Sequence, residues 1–405
     1  MSWTKNARDL IAISSITLIL YSFTCAGFYF AIYSYEKSAD MAYDSNTIRA
    51  TYPNYASEDH DWALSIFEDY AAPKTSYRSF IAYRRQAYDG EAVIIGEDQF
   101  RKSINHSKQE SVWFLGGSTM WGTGADDSRT IPSFFAKATG EKVLNLGETA
   151  FTSLQELIQL QILLSRGYTP EEVIFYDGVN DGFYFCQKDS EDQIRHAATA
   201  RWTSLKKDRD KAEEKLKTRP VLDLEKLLSR LFEFYKLPLT YFRSLADTNR
   251  NESGYLSNVP IRSMSVSNKY LHCDDTEFAK KAARITIQSW RSAAAILKER
   301  NIPVWFVLQP TATFKPEEYK LDHIRNSQKQ AIVNEARNYS SYYSVLKSEF
   351  FLSCEKFGDC QNFIDLSELF FGTEEYLFID TCHISPNGNE LISDALLSRI
   401  RKNGV

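Results

Sequence analysis

Short apolar runs alternate with helical patterns from residue 112 to the end of the chain, and this alternation limits the fold more than any other feature. Runs of strand length lie at 112–115, 143–146, 173–176, 303–308 and 362–365. Helical periodicity is predicted at 154–164, from residue 276 (with Thr276 as the cap), over 317–350 and from 386 to about 401. Strands that alternate with helices favour a parallel sheet with helices on both faces. The sequence therefore predicts an α/β fold.

Glycine or polar residues stand where the first three predicted strands end. Ser118 follows Gly116 and Gly117, Gly147 follows the second run, and Asn180 follows the third. The two glycines let the chain turn sharply before Ser118, because no Cβ is in the way. Ligands of open α/β sheets bind at the carboxyl ends of the strands. These residues are therefore expected to converge at one edge of the sheet.

One histidine could serve as a base for Ser118. A serine nucleophile needs a base within hydrogen-bond reach and a group that orients the base. His383 is the histidine with a carboxylate, Asp380, three residues before it. In a turn, Asp380 can accept the proton of one ring nitrogen, which holds the tautomer and leaves the other nitrogen to face the serine. The N–H groups of Ser118 and Gly147 and the amide of Asn180 are candidate donors to an oxyanion.

Four blocks, in chain order, carry a resemblance to a known family. They are Gly116-Gly117-Ser118-Thr119, Asn145-Leu146-Gly147, Gly178-Val179-Asn180-Asp181 and Asp380-Thr381-Cys382-His383. Over about residues 111–400, apart from an insertion, the chain resembles the SGNH (GDSL-like) hydrolase family, of the membrane-anchored bacterial envelope type. The resemblance implies a flavodoxin-like three-layer α/β/α sandwich with a parallel sheet. It also implies a triad of Ser118, His383 and Asp380, an oxyanion hole of Ser118, Gly147 and Asn180, and no metal or organic cofactor.

Two of these blocks depart from the family pattern. The first reads Gly-Gly-Ser-Thr rather than Gly-Asp-Ser-Leu, and the second continues as Glu148-Thr149-Ala150, where a glycine is expected at about 150. The second departure leaves the shape of the acyl pocket open.

Residues 10–35 contain no charged side chain. This run is longer than the roughly 20 residues needed to cross a bilayer. Lys5 and Arg8 precede this run, while Glu36, Lys37 and Asp40 follow it. The positive side stays in the cytoplasm. Residues 1–40 are thus predicted to be a cytoplasmic tip and signal anchor, with the rest periplasmic or extracellular. A cleaved signal peptide is the alternative.

The remainder divides into a linker region and a larger domain. Residues 41–110 are predicted to be a stalk and small β lobe, with strands at 79–85 and 91–95 around an Asp89-Gly90 turn. Residues 111–405 form the hydrolase-like domain. Its alternation breaks at about 187–272, where charged and apolar helical patterns predict a helical insertion. This insertion is either a lid over the site or a helical pair on the flank of the domain.

Five cysteines follow the predicted anchor, in a compartment that permits disulfides. Cys354 and Cys360 are the first predicted pair, and Cys186 and Cys273, which bracket the insertion, are the second. Cys382 is left as a thiol beside His383, and Cys25 lies within the predicted anchor. No close Cys and His spacing typical of zinc sites is present.

The charge and the predicted location bound the function. The net charge of −5 indicates no nucleic-acid partner. An anchored enzyme outside the membrane is predicted to be a serine esterase or O-acyltransferase that acts on acyl groups, mainly acetyl, of cell-envelope glycans. A transferase would need a membrane partner that supplies the acyl group. Hydrolase and transferase stay open, and a non-catalytic glycan-binding or assembly subunit on the same fold is the alternative.

Overall fold

The computed structural model describes residues 12–25, 27, 45–187, 271–357 and 360–402. The chain divides into two compact units, residues 1–45 with 203–254 and residues 46–202 with 255–405. In the first unit, residues 12–25 are helical. Across the described ranges, no helix combines the length and the apolar character that crossing a bilayer requires. The predicted insertion at 187–272 lies almost wholly outside the described residues.

Two helices and two small antiparallel strand pairs precede the main sheet in sequence. Their bounds are α1 (Ser45–Ala50), α2 (His60–Ala71), β1 (Thr75–Arg78), β2 (Ala82–Arg85), β3 (Tyr88–Asp89) and β4 (Ile94–Ile95). β1 pairs with β2, and β3 pairs with β4. The hairpin predicted to turn at Asp89-Gly90 is thus two short hairpins. The first of them turns at 79–81, where Phe80 has a φ of 72°.

Five parallel strands form the main sheet. They are β5 (Val112–Gly116), β6 (Val143–Asn145), β7 (Glu172–Asp177), β8 (Val304–Leu308) and β9 (Phe363–Asp365). Their order across the sheet is β6-β5-β7-β8-β9. Counted within the sheet this is 2-1-3-4-5, the flavodoxin-like order. The chain adds β6 on one side of β5 and then β7 on the other, so the strand order reverses there and a crevice opens at the carboxyl ends of β5 and β7.

Helices cover both faces of this sheet. They are α3 (Ser118–Trp121), α4 (Ile131–Thr139), α5 (Ser153–Ser165), α6 (Val179–Phe185), α7 (Thr276–Lys298), α8 (Asn326–Phe357) and α9 (Pro386–Lys402). Trp113 and Leu115 on β5 face a core shared with α5, α7 and α8. Val112 and Phe114, which alternate with them, face a core shared with α4 and α9. The predicted three-layer sandwich with a parallel sheet is therefore confirmed.

Two details of the predicted elements change. Asp275, rather than Thr276, caps α7, because its carboxylate accepts from the N–H of Phe278 at 2.9 Å. The helix predicted over 317–350 begins at Asn326 and runs to Phe357. The preceding stretch contains only a single 3₁₀ turn, Pro316–Glu318.

The cysteine predictions are confirmed. Cys186 is bonded to Cys273, and Cys354 is bonded to Cys360, while Cys382 and Cys25 are free. Beside the first disulfide, the N–H of His272 donates to the carbonyl of Cys186 at 2.7 Å. The two ends of the predicted insertion therefore meet at the end of α6.

Candidate active site

Ser118 lies where β5 ends and α3 begins. A Cβ on Gly116 would meet Met120 and the carbonyl oxygen of Tyr176, so this turn requires glycine. Ser118 is the first residue of α3, and the first N–H groups of a helix have no partner within it. Within the described part of the chain, no acceptor takes the Ser118 N–H. The hydroxyl and this N–H therefore stand together at the carboxyl edge of the sheet.

His383 and Asp380 reach Ser118 from the turn before α9. His383 Nε2 lies 2.6 Å from Ser118 Oγ. On the other side of the ring, Nδ1 lies 2.7 Å and 2.9 Å from the two carboxylate oxygens of Asp380. Asp380 also accepts from the backbone N–H groups of Cys382 at 3.0 Å and His383 at 2.8 Å. The spacing of three residues thus folds the carboxylate back under the imidazole.

The electrostatics of this pair favour an imidazolium. Burial disfavours the charged ring, but the Asp380 carboxylate more than offsets this and raises the pKa of His383 well above its usual value. Burial alone would raise the pKa of Asp380, yet His383 and then Arg49 hold it well below its usual range. Once His383 has taken a proton from Ser118, the Asp380 carboxylate would therefore stabilise the charged ring.

Asp380, Cys382 and His383 together also resemble a metal-binding group. Donor atoms of Asp380, Cys382 and His383 lie within 4.8 Å of one another. Both ring nitrogens of His383 are already in hydrogen-bond contact, one with Asp380 and the other with Ser118. The geometry therefore favours an acid–base pair over a metal site.

Asn180 lies beside the nucleophile turn. Its Nδ2 donates to the carbonyl of Phe151 at 2.8 Å. A Cβ on Gly117 would overlap the same Nδ2 atom, so the amide sits directly against the backbone that precedes Ser118. A carboxamide has two N–H donors. One is used by Phe151, and the second is available for an oxyanion.

Gly147 has a different environment from the one expected of an oxyanion donor. Its N–H donates to Asn145 Oδ1 at 3.0 Å. A Cβ there would overlap the backbone N of Trp121. Gly147 therefore permits close packing under α3, and its N–H already has an acceptor.

The N–H of Ala150 is a candidate oxyanion donor, whereas the N–H of Gly147 is already taken. The φ of Ala150 is 59°, in the left-handed region that glycine favours, at the position where the family pattern has glycine. The next carbonyl along the chain, that of Phe151, is the one that Asn180 contacts. Among the residues that the structure describes, no acceptor takes the Ala150 N–H. The expectation of glycine at about 150 was the sequence signal for this donor.

A buried ion pair holds the loop that carries Ala150. Glu148 is fully buried, and Arg85 on β2 contacts its carboxylate at 2.8 Å. The Arg85 guanidinium also lies 4.2 Å from the ring centre of Trp121 on α3. Tyr83 donates its hydroxyl to the carbonyl of Thr149 at 2.5 Å. The region predicted to be a small lobe thus supports the site, and sequence reasoning assigned it no such role.

The strand order, the parallel sheet and the Ser–His–Asp array match the SGNH-like hydrolase pattern that the four blocks predicted. Structural comparison finds a GDSL-like lipase from Bacteroides thetaiotaomicron at 14% identity and a TM-score of 0.35, covering 72% of this chain and 88% of that one. An alpha/beta hydrolase enzyme from the metagenome of Lake Arreo is 11% identical, with a TM-score of 0.32 and coverage of 72% and 96%. A carbohydrate esterase is 9% identical, with a TM-score of 0.31 and coverage of 73% and 69%.

These structural likenesses are too distant to carry an argument about function. No family model and no curated protein matches the chain.

Proposed function

We propose that this chain is a serine esterase whose triad is Ser118, His383 and Asp380. The observation that carries the proposal is the contact of 2.6 Å between His383 Nε2 and Ser118 Oγ, with Asp380 on the other ring nitrogen. This is the arrangement that activates a serine hydroxyl.

The chemistry follows from the positions of the groups. Neutral His383 takes the Ser118 proton on Nε2 as Oγ bonds to the ester carbonyl carbon. The oxyanion accepts from the N–H groups of Ser118 and Ala150 and from the amide of Asn180. His383 then gives its proton to the leaving alcohol as the ester C–O bond breaks. Water, deprotonated by His383, releases the acid from the acyl-enzyme in the same way.

The proposed substrates are ester-linked acyl groups, mainly acetyl, on cell-envelope glycans. This part of the proposal rests on location. The charge-free run at 10–35, after Lys5 and Arg8, supports a single-pass anchor with a cytoplasmic N-terminus. The disulfides Cys186–Cys273 and Cys354–Cys360 support a periplasmic or extracellular site for the catalytic unit.

A chromogenic ester tests the proposal. Wild-type protein is expected to release p-nitrophenol from p-nitrophenyl acetate, and Ser118→Ala protein is expected not to. Addition of a de-O-acetylated envelope glycan separates esterase from O-acetyltransferase, because only a transferase moves acetyl to the glycan. Full cellular function of the Ser118→Ala chain would contradict catalysis and favour a glycan-binding or assembly subunit.

A further inference from the structure

A cation from the start of the second unit contacts the acid of the proposed triad. Arg49 Nη2 lies 3.2 Å from Asp380 Oδ2, and the two side chains are 9% and 5% exposed. The same oxygen lies 2.7 Å from His383 Nδ1. One carboxylate oxygen therefore bridges the imidazole and a buried guanidinium. Arg49 belongs to α1, far in sequence from every family block.

The residues that follow Arg49 hold the loop on which Asp380 lies. Asn54 Nδ2 donates to the carbonyls of Tyr376 and Phe378. Tyr55 packs in one buried cluster with Ile379, the residue immediately before Asp380. We call residues 49–55 the brace and residues 376–383 the acid loop.

The brace also acts through His323. The Tyr52 ring meets the His323 ring edge-on, with 5.3 Å between their centres. His323 Nε2 is 2.8 Å from the carbonyl of Phe378. Brace residues thus contact the acid loop both directly and through one intermediary.

The opposite side of the acid loop is held by the chain that follows β8. Thr311 Oγ1 donates to the carbonyl of Thr381 at 2.9 Å, and the Ala312 N–H donates to the same oxygen at 3.1 Å. The acid loop is therefore fixed between two segments, and the brace is the one that brings a guanidinium to the Asp380 carboxylate.

Charge balance gives Arg49 a role beyond packing. While His383 is neutral, Asp380 is a buried anion, and burial of an unpaired charge is strongly unfavourable. Arg49 offsets that charge in the resting state. Among the described residues, the Cys382 thiol and the phenols of Tyr52 and Tyr55 also face the pair, Arg325 lies near Tyr52, and burial raises the pKa of both phenols. In the described ranges, Arg49 is the cation that contacts the Asp380 carboxylate besides His383.

We propose that Arg49 is a positioning residue for Asp380, and that the brace, which follows the predicted anchor in sequence, holds the acid loop in its working geometry. The inference rests on the proposed function. Arg49 contacts neither Ser118 nor the oxyanion donors in the described structure, so it acts through Asp380.

The test compares Arg49→Gln with Arg49→Lys in the full-length chain. Removal of a positive charge near His383 stabilises its imidazolium, so Arg49→Gln should move the acid limb of kcat/KM to higher pH by about half a unit or more. Misplacement of the acid should also lower kcat by roughly 10-fold or more, with KM little changed. Arg49→Lys keeps the charge and should restore the acid limb.

Two controls separate charge from packing. Asn54→Ala removes bonds to the acid loop but no charge, so it should lower kcat without moving the acid limb. Arg129→Gln breaks an ion pair with Glu58, outside the acid loop, and should leave kcat and the acid limb unchanged. An unmoved acid limb and unchanged kcat in Arg49→Gln would overturn the inference. So would an Arg49→Lys protein whose acid limb moves as far as that of Arg49→Gln.

If Arg49→Gln does not fold, Arg49→Lys and Asn54→Ala carry the test. Both should then show reduced kcat at an unmoved acid limb, and wild-type kcat in both would overturn the inference.

A readout without turnover distinguishes this inference from the proposed function. In Ser118→Ala protein labelled with ¹⁵N-histidine, the His383 ring nitrogens report its pKa directly. Addition of Arg49→Gln should raise that pKa, and Arg49→Lys should not. If Ser118→Ala protein turns over esters at the wild-type rate, the proposed function fails. If Ser118→Ala protein is inactive but Arg49→Gln leaves the pKa of His383 unchanged, only the inference fails.

Discussion

The imidazole of His383 contacts the hydroxyl of Ser118 at 2.6 Å although 265 residues separate them in sequence. The contact forms because β5 ends at Gly116 in the sheet, and the chain after β9 brings the turn before α9 to the same edge. Ser118 is 7% exposed and Asp380 is 4% exposed, so the array is shielded from bulk water.

Ser118 and His383 should behave as one unit. Ser118→Ala and His383→Ala should each lower kcat by roughly 10⁴-fold or more, because either change removes the activated nucleophile. The double variant should lose little more than either single variant. Steady-state kinetics on p-nitrophenyl acetate measure all three, and strictly multiplicative losses would show that the two residues act independently.

The acid limb of the pH profile should lie above the usual histidine range. The base must be neutral, and the net effect of its surroundings is to raise the pKa of His383. Activity should therefore be present above the His383 pKa and lost as pH falls through it, with a midpoint above about 6.5. A kcat/KM profile from pH 4 to 10 checks this, and a midpoint at or below 6.5 contradicts it.

Gly117 and Asn180 should be coupled. Asn180→Ala should lower kcat by about 10²-fold or more, because it removes an oxyanion donor. Gly117→Ala places a methyl group on the Asn180 amide and should act by displacing it. In the Asn180→Ala background, Gly117→Ala should therefore have little further effect. A double-mutant cycle measures this coupling, and full additivity of the two losses would rule out the shared mechanism.

The buried carboxyl Glu156 should make stability depend on pH. Burial, followed by the charges of Asp177 and Asp181, raises the pKa of Glu156 well above its usual value, and burial raises the pKa of Asp177 to about 6. Because the folded state holds these protons more tightly, the free energy of unfolding falls as pH rises above the ordinary carboxyl range.

Glu156→Gln removes one of these ionisations and keeps a donor toward Asp177. It should raise the free energy of unfolding at pH 8 by about 1 kcal/mol or more, with the gain gone near pH 4. Urea unfolding at both pH values checks it. Asp394→Asn, at an exposed position on α9, is the matched control. Equal effects of Glu156→Gln at both pH values would contradict the account.

The sequence predicted the parts of the site that lie at strand ends. Ser118 and Asn180 follow apolar runs, and Asp380 and His383 share one turn, so alternation and spacing sufficed for them. The strand order could not be read from the runs themselves and came through the family resemblance. The two disulfides could be predicted because their cysteines bracket a short loop in one case and the insertion in the other.

Other features depend on tertiary contacts, which a local sequence pattern does not predict. Arg49 lies in a short helix with no motif, and its partner Asp380 is reached only through the tertiary fold. Gly147 was assigned as a donor because it is the glycine of its block, but the neighbouring Asn145 side chain takes its N–H. The expected glycine at about 150 marked the position of Ala150, but its residue type does not predict the left-handed conformation that it adopts.

The central claim is that Ser118 is a nucleophile activated by His383, and covalent labelling tests it most directly. A fluorophosphonate probe, with the modified residue mapped by mass spectrometry, is predicted to label Ser118 in the wild-type chain. Labelling should be lost in Ser118→Ala protein and strongly slowed in His383→Ala protein. Labelling of another residue, or a rate at Ser118 that is unchanged without His383, would contradict the account.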